Sequence, residues 1–267
     1  MIKEFKGELQ AKAIAESLGL YITKYRGVYI VSNSKEELLV KYNLGYHNRE
    51  DIFYDKDVFR EDENGYIIIK NKNIIDASSI ELPYGIRNCS YMFFNCTSLK
   101  VPPKIPKGVE SCASMFCRCF SLKEAPVIPE GVQNCVRCFV DCTSLKEAPI
   151  IPESVQKCFS MFGNCTSLVT PPLLPKGIKD CSFMFSRCAS LETPPIIPEG
   201  VQDCSYMFES CIPLEIPPII PESAEDCTGM FQGCKSLKEC PRFPKNCTIL
   251  NALKDTPFER SNYDKRI

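Results

Sequence analysis

The sequence has almost none of the residues on which common catalytic and metal sites depend. It contains one histidine, His47, and no tryptophan among 267 residues. We find no glycine-rich phosphate loop and neither a G-x-S-x-G nor an H-E-x-x-H pattern, which argues against the common nucleotide, hydrolase and zinc-protease sites. Tyr46 and His47 with Asp51 are the one conceivable catalytic group, but no nucleophile or oxyanion donor lies beside them in the sequence. We predict a protein that is not an enzyme, with no catalytic residue, metal or cofactor; a cryptic enzyme in the N-terminal segment is the alternative.

An excess of charge of one sign is also missing. The chain has 32 Lys and Arg against 33 Asp and Glu, so we do not expect nucleic acid as a partner. No run of 18 apolar residues occurs, and the first residues lack the apolar centre of a signal peptide. These absences predict a cytoplasmic protein with no membrane contact. A secreted or surface adhesin is the alternative if a signal has been removed.

Cysteine and proline are absent from the first 80 residues. All 18 cysteines lie between Cys89 and Cys247, and all 21 prolines lie at or after Pro83. We therefore predict three parts: a small α+β N-terminal or capping domain at 1–80, a repeat domain at 81–247, and a C-terminal cap and tail at 248–267.

The N-terminal part contains patterns of both helix and strand. Apolar spacing predicts a helix over residues 9–19 and a second one opened by Ser34, while "YITKY" and "VYIVS" predict two strands around a turn. An Asn-Gly turn in "EDENGYIII" leads into another strand. The acidic run around it does not match a calcium loop, since Arg60 and Asn71 stand where Asp and Glu are required. A solvated acidic loop is the simplest interpretation, and mimicry of DNA phosphates is the alternative.

A strict 23-residue repeat fills the second part, in seven copies without insertion. Its unit reads P-x-G-V-x-x-C-x-x-M-F-x-x-C-x-S-L-x-x-x-P-x-I, with Ser154 and Ser223 replacing the glycine in two copies. We refer to repeats 1 to 7 and to two cysteine columns and one phenylalanine column. The first cysteine column is Cys89, Cys112, Cys135, Cys158, Cys181, Cys204 and Cys227. The second is Cys96, Cys119, Cys142, Cys165, Cys188, Cys211 and Cys234. The phenylalanine column is Phe93, Phe116, Phe139, Phe162, Phe185, Phe208 and Phe231.

Such a period predicts a solenoid in which each repeat is one coil that packs on its neighbours. The Cys, Met, Phe and Cys positions match one face of a short helix, and the apolar segment after the leucine predicts a short strand interrupted by proline. The fold class we predict is α+β: a leucine-rich-repeat-like solenoid of seven coils, each a short strand plus a short helix, preceded by the small N-terminal domain.

The unit "IPEGVQNCVRCFVDCTSLKEAPIIP" resembles the BspA-like leucine-rich repeats, and the resemblance covers residues 83 to about 244. Three features differ from the family pattern: Met or Cys stands where the family has Ala before Phe, Cys replaces an aliphatic residue, and an extra Pro lies in the strand. The resemblance implies a solenoid that binds host ligands or other proteins.

The many cysteines fit three interpretations. Buried free thiols are the simplest, because Cys behaves as a small hydrophobic residue. Disulfides between coils would need an oxidising compartment. A zinc site would need four ligands converging on a point, whereas a column spreads them along an axis. The cluster "CVRCFVDC" then reduces to two column cysteines and Cys138 at a Met position, and Cys117 is the possible exposed thiol.

Alternation along the extended segment predicts one surface on which a partner binds. The column beginning at Ile105 is apolar throughout and suits the core, so its neighbour should face outward. This candidate partner-binding stripe, the apolar stripe, consists of Val127, Ile150, Leu173, Ile196 and Ile219. The alternatives are that the strand is too irregular to alternate or that the N-terminal segment covers it. A secondary candidate surface carries Tyr91, Phe183 and Tyr206.

We therefore predict a non-enzymatic module that binds a protein partner of unknown identity through its repeats. The alternative is an inhibitor, encoded by a phage or mobile element, that blocks a host enzyme or defence complex. The sequence does not determine the oligomeric state.

Overall fold

The computed structural model describes residues 2–5, 21–25, 28–32, 57–83 and 85–260. The chain divides into two compact units, one of residues 1–55 and 83–86 and the other of residues 56–82 and 87–267. The boundary near residue 80 remains a prediction from composition. In the structure, residues 56–82 group with the repeats.

The first unit contains a three-stranded antiparallel sheet. Its strands are β1 (Ile2–Phe5), β2 (Tyr21–Tyr25) and β3 (Val28–Ser32), in the order β1-β3-β2. The pairing of Tyr25 with Val28 closes the hairpin predicted from "YITKY" and "VYIVS", which confirms both strands. The two predicted helices, and the group of Tyr46, His47 and Asp51, lie outside the described residues.

A short hairpin precedes the repeats in the second unit. It joins β4 (Phe59–Glu61) to β5 (Ile67–Ile69) through the predicted Asn-Gly turn, where Gly65 has a φ of 78°. The carboxylate of Asp62 accepts hydrogen bonds from the N–H groups of Asn64 and Tyr66 at 3.0 and 2.8 Å. The Ile69 N–H then donates to the Met92 carbonyl at 2.9 Å, so β5 leads directly into repeat 1.

The segment predicted as a short helix in each repeat consists of consecutive turns. In repeat 3, the N–H of Cys138 donates to the Cys135 carbonyl and that of Cys142 to the Phe139 carbonyl, both at 3.1 Å. Arg137 and Asp141 have φ values of 54° and 62°, and the two equivalent positions are left-handed in every repeat. An α-helix cannot contain residues with a positive φ at every fourth position. The helix prediction is therefore wrong, and no helix occurs among the described residues.

These turns connect successive repeats through a regular set of hydrogen bonds, which we call the turn ladder. In repeat 2, the N–H groups of Cys112, Ser114, Phe116 and Arg118 donate to carbonyls 22 residues later at 2.8 to 3.0 Å. The intervening N–H groups close the turns within the repeat. The ladder continues beyond repeat 7 into residues 248–254, which form an incomplete eighth repeat at the predicted C-terminal cap.

The extended segment after the leucine, by contrast, forms no strand within the described repeats. Its few inter-repeat contacts include the isolated bridges between Asp76 and Val101 and between Glu147 and Thr170. Proline has no N–H to donate, so the proline-rich stretch cannot build a continuous ladder. The inter-repeat hydrogen bonds that we expected in this segment lie mainly in the turns.

The core is made of identical side chains stacked on one another. The seven rings of the phenylalanine column are fully buried and lie 5.6 to 5.9 Å apart between ring centroids, with interplanar angles of 4° to 15°. The column that begins at Ile105 is buried in its aliphatic members, as the alternation predicts. At the N-terminal end, the Lys72 ammonium donates to the Phe94 carbonyl at 2.9 Å.

Candidate interaction surface

The apolar stripe lies on the surface of five consecutive repeats. The exposed fractions are 84% for Val127, 89% for Ile150, 82% for Leu173, 80% for Ile196 and 90% for Ile219. At about 4.8 Å per repeat the row is roughly 20 Å long. Contiguous exposed apolar patches are surfaces at which partners commonly bind, so the stripe is a candidate interaction surface.

Alternation along the extended segment keeps these side chains outside. In repeat 3, Ile151 is 6% exposed whereas its neighbour Ile150 is 89% exposed. The alternation does not require a paired strand, because successive side chains of any extended backbone point in opposite directions. The repeat thus presents one aliphatic residue to the core and the next to solvent.

Charged residues border the stripe. Lys104 and Arg242 occupy the stripe position in repeats 1 and 7, and both are exposed. The next exposed column, three residues further along the chain, is mixed in charge. It consists of Lys107, Glu130, Glu153, Lys176, Glu199, Glu222 and Lys245. The stripe is therefore an apolar band with a cation at each end.

A recess of about 620 Å³ lies over repeats 2 to 4 on the segment that leads into the stripe. Its lining includes Ala125 and Ala148, where four other repeats have the bulkier proline. Lys146 and Glu147 stand beside it. Because Ala148 precedes Ile150 by only two residues, the recess and the stripe belong to the same stretch of backbone.

The secondary candidate residues fall into two separate groups. Phe183 and Tyr206 stack at 4.7 Å between centroids with an interplanar angle of 15°. Phe159, which the sequence analysis did not select, packs edge-on against Phe183 at 5.7 Å, and Arg137 lies 5.2 Å from the Phe159 centroid. Phe159, Phe183 and Tyr206 therefore form one half-buried aromatic cluster.

Tyr91 lies apart from that cluster, at the N-terminal end of the array. The residue is 39% exposed, and its ring contacts those of Tyr66 and Phe94 at 5.0 and 5.9 Å between centroids. The three residues of the secondary surface thus do not form one site.

Cys117 is not an exposed thiol, and that prediction is wrong. It is 8% exposed, and burial, followed by the nearby Asp141 carboxylate, raises its pKa to about 11. On a helix this position would face solvent. In the turn conformation it lies near the core, as the buried Gly163 and Ser186 do at the same position of later repeats. The only cysteines that are not fully buried are Cys240 and Cys247.

Comparison with known families shows to which family the chain belongs. The model of the BspA-type leucine-rich repeat region matches residues 71–184 and 136–263, with six copies, and so covers more than half of the sequence. The chain belongs to the BspA-type leucine-rich repeat family. The comparison with curated proteins finds no match.

Solved structures of bacterial leucine-rich repeat proteins are similar to this BspA-type chain. A protein from Eubacterium ventriosum ATCC 27560 is 20% identical over 74% of this chain and 50% of its own, with a TM-score of 0.52. A protein from Bacteroides ovatus ATCC 8483 is 22% identical over 66% of this chain and 53% of its own, with a TM-score of 0.47. The chain spans about half of the length of these two proteins. The first similarity supports the leucine-rich-repeat fold.

The second cysteine column of this BspA-type array has a polar role that the sequence analysis missed. Each of its thiols from Cys119 to Cys234 donates to the carbonyl of the phenylalanine 26 residues earlier, as Cys142 does to Phe116 at 3.2 Å. A thiol fits this position because it packs like an aliphatic group while supplying a weak donor. The 26-residue separation was visible in the sequence, but the direction of the thiol was not.

Cys138 behaves as the methionines of its column do. It is 1% exposed, and burial, followed by repulsion from Cys135, raises its pKa. Sixteen of the 18 cysteines are buried free thiols, which confirms the burial that we predicted for the columns. Within the described part of the chain, no three His, Cys, Asp or Glu side chains are grouped so that they hold a metal ion.

The two serines that replace the repeat glycine hold adjacent repeats together. The Ser154 hydroxyl accepts from the Gly131 N–H at 3.0 Å and donates to the Val132 carbonyl at 2.9 Å. Ser223 makes the same two bonds three repeats further along, to Gly200 and Val201. In the residues that the structure covers, no helix is long and apolar enough to cross a membrane.

Proposed function

We propose that this protein is a non-enzymatic protein-interaction module and that its apolar stripe is the docking surface. Leucine-rich repeat proteins are generally modules of this kind. The observation that carries the proposal is the repeated exposure of Val127, Ile150, Leu173, Ile196 and Ile219 at one position of five consecutive repeats.

The stripe favours a partner of particular chemistry. Its cations, Lys104 and Arg242, lie at the two ends. A complementary surface therefore has an apolar ridge of roughly 20 Å with carboxylates near both ends. Burying one fully exposed Val, Leu or Ile side chain contributes about 1.5 to 3 kcal/mol before the costs of association. Several such contacts suffice for a stable complex.

The sixteen buried free thiols favour a reducing compartment, where thiols are not oxidised to disulfides. We therefore propose that the module acts in the cytoplasm. Fractionation of source cells, with an antibody to the protein, tests this proposal.

The experiment on the stripe is affinity capture from the source cell with matched variants. The double variant Val127→Asp with Ile196→Asp places two carboxylates within the stripe, and we expect the captured partner to be lost. Ile212→Asp is the control, because Ile212 is 49% exposed and lies outside the stripe. A partner retained by the double variant, with all three proteins folded, refutes the stripe as the docking surface.

The activity of the partner in the captured complex distinguishes an adaptor from an inhibitor. An adaptor leaves the partner active, whereas an inhibitor suppresses its activity. A binding measurement in increasing salt adds a second test, since Lys104→Glu with Arg242→Glu is expected to weaken binding most at low ionic strength.

A further inference from the structure

The spacing of the apolar stripe limits the shape of the partner that it can hold. Backbones joined by inter-repeat hydrogen bonds lie about 4.8 Å apart. The stacked phenylalanine rings lie 5.6 to 5.9 Å apart between centroids. With these two spacings as limits, the four steps from Val127 to Ile219 span about 19 to 24 Å. A partner must therefore present apolar side chains in a line, about every 5 to 6 Å.

An α-helix has the required spacing and an extended strand does not. A helix with apolar residues alternately three and four positions apart presents one about every 5.3 Å, so five of them span about 21 Å. One face of a β-strand presents a side chain about every 6.7 Å, so five span about 27 Å. The helix stays in register with all five repeats, whereas the strand slips by at least half a repeat.

The straightness of the array favours a helix over the face of a partner sheet. The phenylalanine rings of repeats 2 to 7 are inclined by only 4° to 9° from one repeat to the next, so equivalent side chains keep nearly the same orientation. Strands of a sheet rotate by about 20 to 25° each, and a row with one residue per strand soon turns away from a straight line. Helices bend only gently over such a length.

A second apolar row beside the stripe provides the width that a helix needs. It lies two residues earlier in each repeat, and its members are half-buried proline or alanine. They are Pro102, Ala125, Ala148, Pro171, Pro194 and Pro217. Side chains two residues apart on an extended backbone point to the same side, about 6.7 Å from each other. The two rows together match the apolar face of an amphipathic helix, which covers about 100° or more of its circumference.

The charges beside the stripe weigh against a second copy of this chain as the partner. In the column that begins at Lys107, cations occupy repeats 1, 4 and 7 and carboxylates occupy the four repeats between them. An antiparallel two-fold pair would place repeat 1 opposite repeat 7 and repeat 2 opposite repeat 6, so like charges would meet along the column. A parallel pair would place Lys104 and Arg242 each opposite its own copy. Like charges in contact oppose both arrangements.

We propose that the stripe binds an amphipathic α-helix of a partner protein, with a charge order opposite to that of the bordering column. This inference rests on the docking role proposed above for the stripe. The helix carries acidic residues opposite Lys107, Lys176 and Lys245 and basic residues opposite the carboxylates between them. Three repeats span about 14 to 18 Å, so successive acidic residues lie about 11 positions apart, which is three helical turns and returns them to the same side. Contact with all seven repeats takes a helix of about 19 to 24 residues.

Photo-cross-linking from single stripe positions tests the proposal in the source cell. The full chain carries p-benzoylphenylalanine at one of the five stripe positions at a time, the cells are irradiated, and the linked peptides are identified by mass spectrometry. We expect all five positions to link to one segment of one partner, with the linked residue moving by about three to four positions per repeat. The same photoreactive residue in place of Ile212, which lies outside the stripe, should not link to that segment.

The step between linked residues distinguishes the outcomes. A step of about one to two positions per repeat indicates an extended strand, links that jump between separate strands indicate a sheet, and links to this chain indicate a second copy. Each of these three results overturns the helix and leaves the docking role of the stripe intact. No link from any stripe position, while the partner is still captured, refutes the docking role itself and this proposal with it.

A synthetic peptide with the sequence of the linked segment gives a second measurement. We expect it to become helical in circular dichroism when it binds the full chain, and to bind about tenfold more weakly to Lys176→Glu. Lys235→Glu is the matched control, because Lys235 is also exposed and lies outside the stripe and its bordering column. A bound peptide that stays non-helical overturns the proposal, as does an equal effect of the two variants when both are folded.

Discussion

Raising the pH is expected to unfold the repeat array in a narrow range between about pH 9 and 10. Fourteen buried cysteines have pKa values raised from the ordinary value of 9.0. Burial is the leading cause in all but Cys181 and Cys227, where a hydrogen bond with a neighbouring thiol comes first. The folded protein therefore keeps these thiols protonated at a pH where the unfolded chain releases their protons.

The sign and size follow from proton linkage. The unfolded state binds fewer protons above pH 9, so stability is fully present below that pH and is lost as the pH rises towards the folded pKa values, of which the lowest are about 11. At pH 9 each thiol costs about 0.4 kcal/mol, and fourteen together cost about 6 kcal/mol. At pH 10 the cost is about 1.4 kcal/mol each, or about 20 kcal/mol in total. A typical protein has only about 5 to 15 kcal/mol to lose.

The assay is thermal unfolding at half-unit steps from pH 7 to 10.5, together with ultraviolet absorbance of thiolates. The fourteen thiols with raised pKa values should give little thiolate until the protein unfolds, and then a cooperative increase, whereas Cys247, whose pKa is lowered, ionises in the folded protein. Protein in urea is the control and should titrate gradually around pH 9. Cys138→Met, which installs the residue of the other six repeats at that position, should reduce the proton release by one. Constant stability up to pH 10.5, or gradual titration of the fourteen buried thiols in the folded protein, refutes the reasoning.

Two further predictions concern single contacts. Ser154→Ala removes the hydroxyl that joins Gly131 to Val132, and we expect a loss of about 1 to 2 kcal/mol in urea unfolding; an unchanged midpoint would show that the two bonds do not contribute. Lys72→Met removes the ammonium that contacts the Phe94 carbonyl and is expected to cost about 1 to 3 kcal/mol, because the bond is to a charged group. Amide hydrogen exchange should show reduced protection first in repeat 1. An equal reduction in repeat 7 would contradict a local role for Lys72.

The sequence was most informative where a residue type repeats. The period alone identified the columns, and alternation between Ile150 and Ile151 correctly separated surface from core. The leucine-rich-repeat fold is likewise supported by the family match and the similar solved structure. Each of these conclusions depends on which side of the chain a residue occupies, and periodicity reports that directly.

The local conformation could not be read from the same pattern. Cysteine, methionine, phenylalanine and cysteine at these spacings lie on one side both of a helix and of consecutive turns. The left-handed positions carried a weak signal, because Asn95, Asp141 and Gly233 favour that conformation. Arg118 and Arg187 at the same position obscured it. The one-residue shortening of the eighth repeat, in which the Cys227 N–H donates to a carbonyl 21 rather than 22 residues later, is visible only in the three-dimensional pairing.

The direction of the turn ladder also determines how such a chain can change in length. Four N–H groups in most repeats point to the following repeat, while a smaller pair, such as those of Gln133 and Asn134, donates backward to Glu110. The peptide dipoles therefore add with a net direction along the solenoid axis. An N-terminal cap must supply donors, as the Ile69 N–H and Lys72 do, and a C-terminal cap must accept. Whole 23-residue repeats can be duplicated or deleted between the caps without changing either end, whereas the two caps cannot be exchanged.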